Sequence, residues 1–184
     1  ETPETVRVIV HKPQGLNVIP GRAFLLSIAK PSLDSIKKPF HTTSLNTDYY
    51  LEFMMKDALK HDKFSEGLRN LRAGEELILS DVTGALEYHG KGMFIALGAA
   101  VAPFIAILRQ LRQDGALQGH ALIYVSKTKE EIILERELKH MLDRNCHFVL
   151  TRENRQGYET RKVDEEFFKD KVHNFNQIFY ISGP

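Results

Sequence analysis

The chain changes rhythm once, near Gly90-Lys91-Gly92, and that change limits the possible folds more than any other feature. Before it, short β-branched, aromatic or aliphatic runs follow one another with turn residues between them. After it, short apolar runs alternate with helical periodicity. The first pattern predicts strands over residues 5–10, 23–29, 49–55, 76–80 and 84–88. Turn signals at Lys12-Pro13-Gln14-Gly15, Pro20-Gly21, Lys30-Pro31-Ser32 and Ala73-Gly74 separate them. One short helix, over residues 64–71, interrupts the series. Strands at this spacing build an antiparallel barrel or sandwich.

The second pattern predicts strands over residues 93–97, 121–126, 147–151 and 177–182. Helices are expected over residues 101–113, 129–142 and 165–172. Phe104, Ile105, Leu108 and Leu111 recur at helical spacing in the first of these. Thr128 with Glu131 has the spacing of a capping box for the second, and Asp164 is a suitable N-cap for the third. Strand–helix alternation requires a parallel sheet with right-handed crossovers. Ligands of such sheets sit beyond the carboxyl ends of the strands. The expected architecture is therefore two domains, a β domain over residues 1–90 and an α/β domain over residues 91–184, with a cleft between them.

Composition removes several function classes. With 25 basic against 24 acidic side chains there is no basic excess for nucleic acid. A single cysteine, Cys146, rules out a disulfide framework within the chain and a cysteine-rich zinc site. A lone cysteine before a strand is ordinarily a small buried apolar residue. The histidines show no ligand spacing, so no metal site is expected. No apolar run approaches the ~20 residues that span a bilayer, and no signal peptide is visible. A cytoplasmic location is the expectation.

Four segments carry candidate chemistry. Lys37-Lys38-Pro39-Phe40-His41-Thr42-Thr43-Ser44-Leu45 places a cation, a rigid Pro and several hydroxyls on extended chain, where alternate side chains share a face. That face suits a phosphate and a flavin edge, or it is a solvated surface strand. Leu97-Gly98-Ala99-Ala100-Val101-Ala102-Pro103-Phe104 joins a strand to a helix through small residues, with Pro in the first turn. It suits close approach of a nucleotide, or it only needs small residues for packing. Lys63-Phe64-Ser65 opens the short helix, where Ser65 either binds an anion or caps the helix. Ser182-Gly183 ends the last predicted strand and faces the crevice, or is a plain strand end.

Their order along the chain resembles the bacterial flavodoxin-reductase-like branch of the ferredoxin–NADP reductase superfamily, over nearly the whole length. Lys38-Pro39-Phe40-His41-Thr42-Thr43 stands where that family carries Arg-Pro-(Tyr/Phe)-(Ser/Thr). Tyr50-Leu51-Glu52-Phe53 with Lys56 resembles the following strand. Lys63-Phe64-Ser65 stands at the phosphate-binding turn. Asp81-Val82-Thr83-Gly84 is similar to the loop before the linker. Gly98 to Phe104 stands at the Gly-Gly-x-Gly-Ile-Thr-Pro-Phe segment, Thr151-Arg152-Glu153 at the Ser/Thr-Arg-Glu stretch, and Ser182-Gly183-Pro184 at Cys-Gly-Pro.

The resemblance implies an FAD-dependent NAD(P)H oxidoreductase that passes electrons to a carrier such as flavodoxin or ferredoxin. It implies that Lys38, Pro39, Phe40, His41, Thr42, Lys56 and Ser65 bind FAD. Gly98, Ala99, Ala100, Val101, Ala102, Pro103, Ser126, Arg152, Ser182 and Gly183 would bind the nicotinamide nucleotide. Ser182 and His41 would stand nearest the reacting rings, and Lys127 would join the ribose or phosphate contacts. Lys37, Lys38, Lys56, Lys60 and Lys63 form either a basic rim for an acidic carrier or a solvated face. Relatives begin one strand earlier and continue past Cys-Gly-Pro, so a partial chain is expected. Several positions depart from the pattern. Lys38 lacks the fork of arginine, His41 replaces a small hydroxyl, Lys63 replaces glycine, and Leu97, Ala100 and Ala102 replace glycine, glycine and threonine. These departures leave a second reading open, a reductase-like fold serving as a binding or regulatory module with weak flavin affinity.

Overall fold

The computed structural model describes residues 5–56 and 62–183, with the side chains of Lys56 and residues 81–85 outside that description. The N-terminal half contains β1 (Thr5–His11), β2 (Arg22–Ile28), β3 (Lys38–His41), β4 (Tyr50–Lys56), the short helix α1 (Lys63–Arg69) and β5 (Leu77–Ala85). All its pairings are antiparallel. β1 pairs with β4, and β3-β2-β5 form a second sheet. An isolated bridge from Thr42 to Phe53 links the two sheets. Among the described residues this half is two antiparallel sheets over one core, joined at that bridge; the strand spacing allowed a barrel or a sandwich. Phe24, Leu26, Ile28, Leu51, Phe53, Phe64 and Leu68 fill that core.

β5 corrects another expectation. Residues 76–80 and 84–88 read as two strands with a loop at Asp81-Val82-Thr83-Gly84, but one strand runs through. It stays paired with β2 by shifting register between Arg22 and Ala23 and between Phe24 and Leu25. Such bulges absorb an irregular stretch without ending the strand.

The C-terminal half contains β6 (Gly92–Leu97), α2 (Ala102–Gln113), β7 (Ala121–Ser126), α3 (Glu135–Leu142), β8 (Cys146–Leu150), α4 (Glu165–Lys171) and β9 (Ile178–Ser182). The strands form a parallel sheet in the order β8-β7-β6-β9. β6 and β9 approach closely: a Cβ on Gly92 would lie 2.1 Å from the Ile178 carbonyl oxygen. α2 buries Phe104, Ile105 and Leu108 completely, each contributing roughly 1.5–3 kcal/mol.

The helix expected over residues 129–142 is broken. A single turn at Lys129–Glu131 ends, Leu134 adopts φ 52°, and only then does α3 begin. Ile132 and Ile133 are each 2% exposed, so the break turns both into the core. The Ile133 amide donates to the Tyr124 hydroxyl at 3.1 Å, which replaces a helical bond. Thr128 makes no capping bond there, whereas Asp164 caps α4 as expected by accepting from the Phe167 amide at 3.1 Å.

The halves share packing. Met54 of β4 belongs to the same buried cluster as Val101, Phe104 and Ile105. Among the described residues no helix is long and apolar enough to cross a membrane.

Candidate functional site

The strand order fixes where a ligand of the α/β half sits. β7 follows β6 on one side and β9 lies on its other side, so the direction of winding reverses between β6 and β9. Ligands of such sheets sit beyond the carboxyl ends at that point, which here is marked by Leu97-Gly98 and Ser182-Gly183. Ala96 is in register with Ser182, and a Cβ on Gly183 would come within 3.2 Å of Leu97 Cβ. Gly98 has φ +58°, and nothing lies within 4 Å of the place its Cβ would occupy. The left-handed conformation favours glycine, and the space beside it is open.

Gly98, Ala99 and Ala100 are half-buried in the tight turn Gly98–Val101 that leads into α2. Val101, Ala102 and Pro103 are buried. These three were expected to contact the nucleotide; the structure turns their side chains into the core, because the first turn of α2 packs on the sheet. Ser182 is half-buried at the end of β9.

The ends of β7 and β8 are stitched together. The Thr151 and Arg152 amides donate to the Ser126 and Lys127 carbonyls, each at 2.9 Å. This brings Ser126 and Arg152 into neighbouring turns. Ser126 is buried, with its hydroxyl toward that of Tyr124, while Lys127 and Arg152 are exposed. Carboxylates also collect here: the Lys129 amide donates to Glu153 at 2.9 Å, and Arg155 contacts Glu130 and Glu153 at 3.1 and 3.2 Å.

The strand side differs from expectation at three residues. Thr42 was expected to reach the flavin, but it is 1% exposed. Its hydroxyl donates to the Glu52 carbonyl at 3.0 Å and accepts from the Ser44 amide at 3.1 Å. Ser65 was expected to bind phosphate at the start of α1. It is buried, and its hydroxyl instead donates to Asp62 at 2.9 Å. Lys38 was expected to neutralise a pyrophosphate, but its ammonium is paired with the same carboxylate. Asp62 is the N-cap of α1, accepting from the Phe64 amide at 2.9 Å. The bond from Lys38 is the main cause that brings the Asp62 carboxyl down to about 2, with Ser65 and Phe64 adding to it.

Phe40 is half-buried and stacks on Phe64 at 5.8 Å. Pro39 is exposed beside it. His41 Nδ1 is buried with no partner among the described residues. Burial lowers the His41 pKa, outweighing the nearby Gly21 and Arg22 backbone, so the imidazole is neutral at neutral pH. Lys56 ends β4, with its side chain outside the described residues, as is all of Lys60.

A charged cluster ties the halves together beside this strand. Glu52 is fully buried. It accepts from Arg109 Nη1 at 2.8 Å, from the Thr43 hydroxyl and from Arg7. Arg109 also donates to the Thr43 carbonyl at 2.8 Å and pairs with Glu137 at 2.6 Å. Burial pushes the Glu52 carboxyl up, but Thr43, Arg109 and Arg7 together outweigh it and hold it below the usual range. The turn Gly98–Val101 packs against β4, and Thr42, two residues beyond Phe40, bridges to β4 at Phe53. The Phe40 strand and the turn after Leu97 therefore border the same strand.

Sequence reasoning missed Asp62, Glu52 and Arg109. Asp62 was legible as an N-cap. Glu52 stood out as a lone carboxylate between Leu51 and Phe53, but nothing local named its partner.

Cys146 takes no part in this site. Burial pushes its thiol up to about 12. Iodoacetamide at about pH 8 should leave the native thiol unmodified while alkylating it fully in urea; equal rates in both states would contradict its burial.

Residues 94–184 match the family model of the oxidoreductase NAD-binding domain. No curated protein sequence matches the chain. Among solved structures, the CS-b5R domains of human Ncb5or in the NAD+ form share 20% identity at a TM-score of 0.82, covering 100% of this chain and 59% of that one. The cytochrome b5 reductase domain of Ulva prolifera nitrate reductase shares 18% at a TM-score of 0.82, covering 100% and 82%. A ferredoxin NADP+ reductase from Neisseria gonorrhoeae, with bound FAD and NADP, shares 20% at a TM-score of 0.77, covering 92% and 71%. Residues 94–184 thus match the oxidoreductase NAD-binding domain, and the whole chain shares the fold of these reductases, of which the Neisseria gonorrhoeae protein holds FAD and NADP.

The residues fit those cofactors unevenly. The open space at Gly98 suits a nucleotide, and the unpartnered His41 Nδ1 suits a polar ring edge. The cation expected to meet the flavin pyrophosphate is already paired within the protein.

Proposed function

We propose that the chain is the catalytic unit of a flavin-dependent NAD(P)H oxidoreductase, with residues 1–90 seating FAD and residues 91–184 seating NAD(P)H. The observation that carries this reading is the convergence on β4 of the Phe40 strand and the Gly98 turn. When bound, the cofactors supply the redox chemistry, a hydride moving from nicotinamide C4 to flavin N5 and electrons then going to a carrier such as flavodoxin or ferredoxin.

The protein's part is alignment. Gly98, Ala99 and Ala100 let the nucleotide approach the backbone. Ser182 gives a small polar group at the end of β9 to orient the nicotinamide. Ser126, Lys127 and Arg152 receive the adenosine ribose or its phosphate. His41, uncharged, offers a nitrogen to the flavin edge, and Phe40 and Pro39 present an apolar surface. Val101, Ala102 and Pro103 act through packing, by fixing the start of α2. The Glu52–Arg109 contact holds the two halves in register.

The Lys38–Asp62 pair favours a second reading, a reductase-like fold with weakened flavin affinity used for binding or regulation. The visible spectrum separates the two. Protein that carries flavin bands, or acquires them with added FAD, supports the oxidoreductase; colourless protein that rejects added FAD contradicts it.

A further inference from the structure

On the candidate flavin strand, the cation is not waiting for a ligand. Lys38 Nζ is ion-paired to Asp62, and the same carboxylate accepts from Ser65 Oγ and the Phe64 amide, each at 2.9 Å. All three donors are of the kind a phosphate oxygen takes. The side chains of Lys38 and Asp62 are 29% and 34% exposed, so either can turn toward water. A second anion at Lys38 would face an ionised carboxylate at contact distance, and like charges that close repel. Lys37 and Lys63, the adjacent cations, are exposed.

We propose that Asp62 is a specificity-determining residue, a built-in counter-anion that takes Lys38 and so disfavours a diphosphate-bearing flavin relative to one without phosphate. The proposal rests on the flavin reading above and adds a direction to it. FAD must displace Asp62 from Lys38 to use that cation, and riboflavin need not. A purely structural role for Asp62, capping α1, makes no such distinction.

Asp62→Ser separates the two roles, because serine keeps an N-cap oxygen and removes the charge; Asp62→Asn serves the same purpose should the serine variant fail to fold. Circular dichroism establishes folding, and FAD and riboflavin are then titrated against each protein. The expected result is FAD affinity raised at least about tenfold, the scale of one hydrogen bond to a charged group, with riboflavin affinity unchanged. Adding Lys38→Met to the variant should cancel the gain. Unchanged or weaker FAD binding in a folded variant, or an equal gain for riboflavin, overturns the proposal. Should no protein bind either flavin, inorganic pyrophosphate measured by calorimetry decides. Tighter pyrophosphate binding by Asp62→Ser, reversed by Lys38→Met, upholds the counter-anion while the flavin reading falls. No gain overturns both.

Discussion

Replacing Arg109 by Met should destabilise the protein by about 3 kcal/mol or more, one of the largest losses available to a single substitution away from the hydrophobic core. The reason is what it leaves behind. Glu52 has no exposed surface, and among the described residues Arg109 is one of its two cationic partners, Arg7 being the other. Removing one partner of a buried pair costs more than the pair contributes, because the remaining charge stays desolvated. Burial alone would lower the Arg109 pKa, but Glu137 and Glu52 outweigh it and raise it, so the guanidinium stays charged under all working conditions. Glu52→Gln in the Arg109→Met background should recover part of the loss, giving a clear coupling energy in a double-mutant cycle. Urea unfolding followed by circular dichroism checks both. Additive effects would mean that the two side chains do not act together.

Acid adds a third arm to the same experiment. The folded Glu52 pKa lies below its ordinary value. Its contribution is therefore complete above the ordinary glutamate range and disappears as pH falls below that range through the folded value. Wild-type protein should lose stability between about pH 5 and pH 3 more steeply than Glu52→Gln.

The second large effect concerns ligand binding. Gly98→Val should weaken NAD(P)H binding at least about tenfold, equivalent to about 1.4 kcal/mol, while leaving flavin affinity unchanged. Gly98 has φ +58°, where a side chain is strained by about 1–2 kcal/mol. No protein atom lies within 4 Å of the added Cβ, so no clash enlarges that cost. The valine methyls would instead occupy the open side of the turn, where the nucleotide is proposed to approach. Gly98→Ala carries the strain with less bulk, and should therefore lose stability similarly but binding less. Valine binding NAD(P)H as well as glycine does would remove the turn from the site.

These cases also show how far the sequence could be read. Residues 121–126 were legible to the residue, because an apolar run bounded by polar residues has few alternatives. The continuous helix over residues 129–142 was not, since Ile132-Ile133-Leu134 satisfies a helical pattern and a core-filling break equally well. The buried Tyr124 hydroxyl that decides the matter comes from the neighbouring strand. The Ser65 environment was misread for a related reason. Its motif invited a ligand or a cap, and the acid three residues earlier, which is the actual cap and takes its hydroxyl, went unnoticed. The Glu52–Arg109 contact joins residues 57 positions apart; no local pattern pairs them. The order of the motifs was legible, whereas which side chains face the cleft and which face the core depended on packing, as Thr42 and Ala102 show.

In the proposed function the two halves bring a flavin and a nicotinamide into contact. The most direct measurement is anaerobic rapid mixing of the FAD-loaded protein with NADH and with NADPH, following the visible flavin absorption. Bleaching by at least one of them is expected, and slower bleaching in Gly98→Val at the same nucleotide concentration. Flavin that stays oxidised while calorimetry shows the nucleotide bound would contradict it.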